Sequence, residues 1–355
     1  MDTPGTDRVF KRPEEITAEF LASVLGRAVD GFTTQPVGTG QMGDSVRYTL
    51  SPQGDSPSSV VVKFAAADDT SRATGHALRS YEIEVRFYRE LAGTVGIRTP
   101  VCHYAAVEPD TGWFTLVLED LAPAEQGDQM AGCSIDQAAL ALDELTRLHA
   151  PRWNDAALME LEWFHRADAG AGTAMIVQAL YDGFVERYAD RLDPDHLELS
   201  RRLIESLPHL MAQRTGPICI THGDYRLDNM LFGTAAGGPP LAVVDWQTCT
   251  TGPPLTDASY FVGAGLQVED RRAHEEALIR EYHRGLLAAG VEGFDWETCW
   301  TDYRRFSFGG LVMAIAASML VERTDRGDEM FMTMASRHST QALDLGADEF
   351  LAADG

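Results

Sequence analysis

Two short stretches carry the residue types that could do chemistry, Ile220–Phe232 and Leu241–Gln247. The first contains Asp224 and, five positions later, Asn229, and the second has Asp245 at the end of an apolar run. A carboxylate can accept a proton from a hydroxyl group, while an amide oxygen and a second carboxylate can hold Mg²⁺ against the phosphates of a nucleotide. The three residues therefore predict a phosphoryl-transfer site, with Asp224 as the base and the other two as metal ligands.

The residues around these positions predict a β-hairpin. Met230–Phe232 and Leu241–Val244 are apolar runs, and residues 233–240 between them are rich in glycine and proline, which favour turns. The hairpin would place Asn229 at the start of one strand and Asp245 after the other, so we expect these side chains to lie close together. A single Asp or Asn in a loop is more often a turn or cap residue, but the ordered set between strands favours the chemical interpretation.

The two motifs also carry a family resemblance. His-Gly-Asp-Tyr-Arg-Leu-Asp-Asn at residues 222–229, followed by Val-Val-Asp-Trp-Gln at residues 243–247, resembles the aminoglycoside phosphotransferase and choline-kinase-like superfamily, and within it the ecdysteroid-kinase-like branch of bacterial phosphotransferases. The resemblance implies a protein-kinase-like fold and phosphoryl transfer from ATP or GTP to a small molecule. It gives Asp224 the catalytic role and Asn229 and Asp245 the magnesium-binding roles. Trp-Gln follows the last aspartate where protein kinases have Phe-Gly, which favours a small-molecule acceptor.

The N-terminal part is expected to bind the nucleotide. Ser59–Phe64 is an apolar strand interrupted by Lys63. A lysine within a strand normally faces solvent, but in a kinase-like sheet it reaches the α- and β-phosphates. One strand earlier lie Gly38, Gly40 and Gly43, which by themselves would indicate only a hairpin turn. Placed before the lysine strand, these glycines are expected to let backbone N–H groups approach phosphate.

A helix is expected to support the lysine. Apolar residues at helical spacing predict a helix over residues 76–92. In the family a glutamate on this helix holds the strand lysine, and the resemblance gives that role to Glu84, with Glu82 as the rival. Glu84 is expected to hold the lysine because it lies three positions before Phe87, although most helix glutamates are merely solvated.

The next strand is expected to meet the base of the nucleotide. Phe114–Leu121 resembles the family's hinge, where backbone groups contact adenine, so the nucleotide-binding candidates there are Glu119, Asp120 and Leu121. Residues 1–120 are therefore predicted to form a nucleotide-binding lobe. Residues 121–355 are predicted to form a catalytic and acceptor-binding lobe.

The rest of the chain is helical in pattern. Apolar spacing predicts helices over residues 134–149, 174–190, 195–213, 269–289 and 302–322. The family carries an aspartate that braces the catalytic loop, and this role falls to Asp257, although it could also cap a helix that starts at Ala258. Together the elements predict an α+β, bilobal, protein-kinase-like fold, with a small β-rich N-terminal lobe and a larger, mainly helical C-terminal lobe.

Composition excludes several classes of binding partner and site. The chain has 355 residues and a formal net charge of −25, which excludes a nucleic-acid partner on electrostatic grounds. Residues 1–15 are polar, and no run of 18 apolar residues occurs, so neither a signal peptide nor a membrane span is expected. The five cysteines are scattered and suggest neither a zinc site nor a disulfide framework. These features favour a cytoplasmic enzyme with a small-molecule acceptor.

Three alternatives remain beside this interpretation. The first is an aminoglycoside-inactivating O-phosphotransferase, and the second is a nucleotide-binding pseudokinase that acts by association. The presence of Lys63 together with Asp224, Asn229 and Asp245 argues against the pseudokinase. The third is a metal-dependent phosphohydrolase that would use His222, Asp224 and Asp245 as metal ligands. The strand that carries Lys63 would have no role in such an enzyme.

Overall fold

The chain divides into two compact units in a computed structural model, which describes residues 8–38, 43–51, 57–164, 169–212, 216–321 and 323–351. The first unit consists of Met1–Thr94, Arg98–Glu125 and Phe232–Cys249. The second unit consists of Val95–Ile97, Gln126–Leu231 and Thr250–Gly355. The functional division at residue 120 stays a prediction. No helix among the described residues is both long and apolar enough to span a bilayer.

The first unit is built on a five-stranded antiparallel sheet, whose strands are β1 (Gly31–Pro36), β2 (Gly43–Ser51), β3 (Ser59–Ala65), β4 (Cys102–Val107) and β5 (Phe114–Glu119). The strand order is β1-β2-β3-β5-β4. Along β3, Val60, Val62 and Phe64 are buried in one apolar cluster with residues of helix α1 (Ala18–Leu25). Because successive side chains of a strand point to opposite faces, Lys63 lies on the other face of the sheet.

The helix predicted over residues 76–92 is interrupted in the structure. Helix α2 (Asp69–Ala77) overlaps only the first two residues of that range, and α3 (Ser80–Arg86) continues as one π-helical turn over Phe87–Leu91. Arg79 between the two helices has φ 58°, in the left-handed region, which breaks the regular helical geometry. The apolar spacing therefore located the helix that carries Glu84 but placed its start too early.

The remaining strands are short. They are β6 (Glu125–Gln126), β7 (Cys219–Thr221), β8 (Met230–Thr234), β9 (Gly237–Val243) and β10 (Thr250–Gly252), arranged as an antiparallel pair β10-β7 and a sheet in the order β6-β8-β9. The predicted hairpin is confirmed by β8 and β9, which are adjacent. Its turn is shorter than the predicted 233–240, because Pro239 and Pro240 lie within β9. That strand is at an edge, where a missing N–H is tolerated.

Helices dominate the second unit. They are α4 (Ile135–His149), α5 (Ala169–Tyr188), α6 (Pro194–Ala212), α7 (Leu255–Gly265), α8 (Val268–Ala288), α9 (Trp296–Arg305), α10 (Gly309–Leu320) and α11 (Asp325–Asp344). Four of the five predicted helices are confirmed apart from their ends. The prediction over 302–322 is confirmed in part: α10 covers most of this range, but a 3₁₀ turn at Phe306–Phe308 separates α10 from α9. The predicted α+β class, with a β-rich N-terminal part and a larger helical part, is confirmed.

Candidate active site

Lys63, Glu84 and Asp245 form one group in the first unit, here called the Lys63 cluster. The Lys63 Nζ donates to Oε1 and Oε2 of Glu84 at 2.6 and 2.8 Å and to Oδ1 of Asp245 at 3.1 Å. Glu84 is almost fully buried, while 28% of the Asp245 side chain remains exposed. Burial lowers the pKa of Lys63, but the charges of the two carboxylates outweigh it and raise the pKa overall. The lysine therefore remains a cation at neutral pH.

The rival glutamate has other partners. Glu82 accepts hydrogen bonds from Arg79 at 3.0 and 3.1 Å and from Arg86 at 3.4 Å. The structure thus brings Glu84, and not Glu82, to Lys63.

An aromatic pair joins the helix of Glu84 to the segment of Asp245. Phe87 lies one turn beyond Glu84 and stacks on Trp246, with ring centroids 3.9 Å apart and planes within 5° of parallel. Trp246 is fully buried and directly follows Asp245, which adopts left-handed backbone angles (φ 69°, ψ 62°). Such a conformation is uncommon for a residue other than glycine and is retained where the surroundings fix it. The stack is one such restraint on the backbone at Asp245.

The glycines of the predicted phosphate loop are only partly described. Gly38 has φ 76°, a conformation that favours glycine. Gly43 lies in β2, where a Cβ would come within 2.8 Å of the Phe64 carbonyl oxygen, so close strand packing alone accounts for a glycine there. Gly40 lies outside the described residues. Phosphate binding by these three residues stays a prediction.

The side chain of Asp120 is engaged within the sheet. Its carboxylate accepts hydrogen bonds from Nε and Nη2 of Arg47 at 2.6 and 3.1 Å and from the Ser59 hydroxyl at 2.7 Å. Burial raises the pKa of Asp120, but these donors more than offset it and the pKa is lowered. The carboxylate therefore links the middle of β2 and the start of β3 to the residue that follows β5.

The residues on either side of Asp120 are also in structural contacts. Glu119 accepts hydrogen bonds from Arg98 Nη2 at 2.7 Å and from the Val101 backbone N–H at 2.9 Å, and Leu121 is buried. A contact with the nucleotide from residues 119–121 would thus fall to their backbone groups. That role stays a prediction.

A second group, here called the Asp224 cluster, lies in the second unit and consists of Asp224, Arg226, Asn229 and Tyr260. The Tyr260 hydroxyl donates to Oδ1 of Asp224 at 2.7 Å. Arg226 Nε and Asn229 Nδ2 donate to Oδ2 at 3.0 and 2.9 Å. Burial raises the pKa of Asp224, but the Arg226 charge and the Tyr260 hydrogen bond outweigh it, so the pKa is lowered. Asp224 is therefore a carboxylate at neutral pH.

The loop that carries Asp224 is held by Asp257. The Asp257 carboxylate accepts hydrogen bonds from the backbone N–H groups of His222 and Gly223 at 2.7 and 3.0 Å, and it lies 3.3 Å from His149 Nε2. Helix α7 begins at Leu255 and has no side-chain cap, so the capping role considered for Asp257 is wrong. The residue braces the loop, as the family resemblance implies.

The predicted metal ligands have suitable atoms in each unit. Asn229 Nδ2 donates to the backbone oxygen and to Oδ2 of Asp224, both at 2.9 Å, which leaves its Oδ1 outside these bonds. Asp245 also accepts a bond from Gln247 at 3.0 Å. No group of three or more His, Cys, Asp or Glu side chains that could hold a metal occurs in the part of the chain that is described. Mg²⁺ is commonly held by one or two protein oxygens plus phosphates and water, so the available residues fit it.

Sequence reasoning missed two members of the Asp224 cluster. Arg226 lies inside the motif, two positions after Asp224, and its charge was a usable signal. Tyr260 gave none, because it lies among small and apolar residues of a buried helix, 36 positions from its partner.

Comparisons with known proteins find a matching family and several solved structures of similar fold. The model of the phosphotransferase enzyme family matches residues 35–299. A candidate aminoglycoside phosphotransferase from Ralstonia eutropha JMP134 has a TM-score of 0.56 and 16% identity, covering 92% of this chain and 98% of that one. An ethanolamine kinase from Plasmodium vivax has a TM-score of 0.54 and 10% identity, covering 86% and 81%. The ADP-bound aminoglycoside phosphotransferase APH(2'')-Ib has a TM-score of 0.51 and 17% identity, covering 94% and 98%. At these identities the likeness is one of fold.

One curated relative matches over a shorter stretch. Acyl-CoA dehydrogenase family member 10 of Mus musculus is 43% identical over an alignment of 120 residues, and the match covers 30% of this chain and 11% of that protein. The chain thus spans about a tenth of that relative.

Proposed function

The chain belongs to the phosphotransferase enzyme family, and we propose that it transfers the γ-phosphoryl group of ATP or GTP to a hydroxyl group of a small molecule. The resemblance to the aminoglycoside phosphotransferase and choline-kinase-like superfamily, and the protein-kinase-like fold, are confirmed. The observation that carries the proposal is the Asp224 cluster. It presents an ionised, partly exposed carboxylate on a loop that Asp257 fixes.

In this proposal Asp224 is the proton acceptor. The acceptor hydroxyl gives its proton to the carboxylate while its oxygen bonds to the γ-phosphorus, and the bond from that phosphorus to the bridging oxygen of the nucleotide breaks, releasing ADP or GDP. Lys63, held as a cation by Glu84, contacts the α- and β-phosphates. Asn229 Oδ1 and the Asp245 carboxylate are the proposed ligands of Mg²⁺, which when bound neutralises charge on the phosphates.

Several features support a small acceptor. Trp246 and Gln247 follow the metal aspartate, and only eleven residues separate Asp245 from Asp257, too few for the peptide-docking segment of a protein kinase. The net charge of −25 repels polyanions. None of the five cysteines, all of which lie among the described residues, is in a disulfide, and together with ATP as the proposed co-substrate this supports a cytoplasmic enzyme.

A cationic acceptor is the second candidate, and it includes the inactivation of aminoglycosides. Two solved relatives are named as aminoglycoside phosphotransferases and a third as an ethanolamine kinase. A strongly negative protein attracts cationic ligands. The choice between a cationic and a neutral acceptor is thus a matter for direct measurement.

The test uses ATP labelled at the γ-phosphate, with Mg²⁺, in four parallel reactions. The reactions contain aminoglycosides and amino alcohols, neutral hydroxylated compounds, a mixed peptide library, or a nucleic-acid pool. Asp224→Ala protein serves as the control for contaminating kinases. We expect label in one of the small-molecule reactions only. Label mainly in peptide or nucleic acid, or equal transfer by the Asp224→Ala control, would overturn the proposal.

A further inference from the structure

The two oxygens of the Asp224 carboxylate are not equivalent. Oδ2 accepts hydrogen bonds from both Arg226 Nε and Asn229 Nδ2, whereas Oδ1 accepts one, from the Tyr260 hydroxyl. An ionised carboxylate offers about four lone-pair positions, two on each oxygen. Oδ2 is therefore fully used by the chain itself, and Oδ1 has one position left. A hydroxyl group that hands its proton to Asp224 must approach Oδ1, the oxygen that Tyr260 contacts.

Tyr260 is held firmly in this place. It lies on α7 with 6% of its surface exposed, and its ring stacks on His338 of α11, with centroids 5.5 Å apart and planes 21° from parallel. The approach of the two helices is close, because a Cβ on Gly263 would come within 2.5 Å of His338 Nδ1. A buried phenol clamped in this way has little freedom to rotate. Its hydroxyl can therefore fix the direction of the carboxylate to which it donates.

We infer that Tyr260 is a positioning residue for the transfer. Its hydroxyl holds Oδ1 of Asp224 so that the remaining lone pair faces the incoming acceptor hydroxyl. This inference rests on the proposed function of Asp224. The proton still moves from the acceptor hydroxyl to Oδ1, the new bond still forms from the acceptor oxygen to the γ-phosphorus, and Tyr260 keeps its own proton throughout.

A Tyr260→Phe variant removes the one hydroxyl and keeps the ring against His338. The chain offers a matched control in Tyr188, which is 1% exposed and whose hydroxyl donates to Asp328 Oδ1 at the same 2.7 Å, away from the Asp224 cluster. The readout that needs no identified acceptor is single-turnover ADP formation from MgATP with water as acceptor. We expect Tyr260→Phe to slow this step about 10- to 100-fold with unchanged nucleotide binding, since small misplacements near reacting atoms cost about that much. Tyr188→Phe should stay within about twofold, as a change outside the reacting groups does.

A combined variant separates positioning from general damage. Because Tyr260 acts through Asp224, the Tyr260→Phe loss should disappear when Asp224→Asn is already present. An equal loss in both backgrounds, or an equal loss in Tyr188→Phe, would overturn the inference. Asp224→Asn turnover equal to that of the wild type would instead refute the proposed function, so the two failures are distinguishable.

A crystal structure of Tyr260→Phe decides the matter independently of turnover. We expect the Asp224 carboxylate to rotate or to occupy two orientations once its Oδ1 has lost the phenol. A carboxylate in the same single orientation as in the wild-type protein, with Arg226 and Asn229 still bound to Oδ2, would show that Tyr260 does not position it.

Discussion

The Lys63 cluster of the first unit places one cation between two carboxylates, whereas the Asp224 cluster of the second unit places one carboxylate among three donors. The first arrangement raises the pKa of Lys63 and keeps it positive. The second lowers the pKa of Asp224 and keeps it negative. Lys63 in the first unit is thus a cation and Asp224 in the second unit is an anion. These charges suit the proposed reaction between an anionic nucleotide and a hydroxyl that must lose a proton.

The clusters also differ in how the chain assembles them. Three members of the Asp224 cluster lie within residues 224–229, and only Tyr260 comes from a distant helix. The Lys63 cluster combines β3, α3 and the segment after β9, with 182 positions between Lys63 and Asp245. The Asp224 cluster is fixed mainly by its local loop and by Asp257, which braces that loop. The Lys63 cluster is fixed by packing between elements that are distant in the chain. Substitutions in the two clusters should therefore impair different properties of the enzyme.

The largest effect is expected at the proposed base. Asp224→Ala removes the proposed proton acceptor and should lower turnover about 10³-fold, within the usual range for loss of a general base. Nucleotide affinity should change little, since the Lys63 cluster is intact, and binding of a fluorescent ATP analogue measures it. Asp228→Asn is the matched control, because that carboxylate is bonded to Arg226 and to the Gln129 N–H. Equal losses in both variants would contradict a special role for Asp224.

The next effect concerns the metal. Asp245→Asn should raise the Mg²⁺ concentration needed for ADP formation at least about 100-fold, since even partners of metal ligands contribute 10- to 100-fold. Gln247→Ala, which removes a hydrogen-bond donor to Asp245, should raise it about 10-fold. Crystals soaked with nucleotide and Mg²⁺ should show oxygens of Asn229 and Asp245 about 2.0–2.3 Å from the ion. An unchanged Mg²⁺ requirement in Asp245→Asn would refute the assignment.

A smaller, graded effect is expected around Lys63. Lys63→Met removes the proposed phosphate contact and should lower kcat/KM for ATP about 100-fold, as loss of a preorganised charge does. Glu84→Gln leaves the lysine less well held and should lower it about 10-fold. Glu82→Gln should be within about twofold, because its partners are surface arginines. Steady-state kinetics with ATP as the varied substrate ranks the three. A damaging Glu82→Gln with a silent Glu84→Gln would reverse the assignment.

The smallest effect on activity is expected at Asp120, where stability is the readout. The folded-state pKa is lowered, so this carboxylate stabilises the fold above its unfolded-state pKa of about 4, and the contribution is lost as pH falls through the folded-state value. Asp120→Asn should reduce the free energy of unfolding by about 1–2 kcal/mol at pH 7 and by progressively less below about pH 4. Glu119→Gln, at a side chain 29% exposed against 4% for Asp120, should cost less. Urea unfolding at several pH values measures both, and a pH-independent difference would contradict the argument.

Local sequence was enough to predict some elements of the fold and of the candidate site. The spacing of Asp224 and Asn229 and the apolar runs of β8 and β9 each depend on residues that are close together in the chain, and the structure has the predicted hairpin, with a shorter turn. Arg79 shows the limit, because apolar residues at helical spacing flank it on both sides and nothing in the sequence marks the left-handed conformation that separates α2 from α3.

The features that the sequence did not predict depend on contacts between residues far apart in the chain. Tyr260 joins the site through a partner 36 positions away, and nothing in its neighbourhood marks it as different from a core tyrosine. Gly43 was assigned to phosphate binding, yet the nearest obstacle to a side chain there is the backbone of a neighbouring strand. Helix α11 was not predicted, although Phe331, Met334 and Ala335 are buried in the core of the second unit. Only the fold shows which face of such a polar segment is covered.

The stack of Trp246 on Phe87 gives the protein an optical reporter of its own. An indole that is fully buried, and joined through one peptide bond to Asp245, should change its fluorescence when that carboxylate changes partners. The other five tryptophans contribute a background. The difference between wild-type spectra and those of Trp246→Phe, which keeps an aromatic ring in the stack, isolates the signal. Stopped-flow mixing with MgATP would then follow the arrival of nucleotide in real time, without a dye or a coupled enzyme.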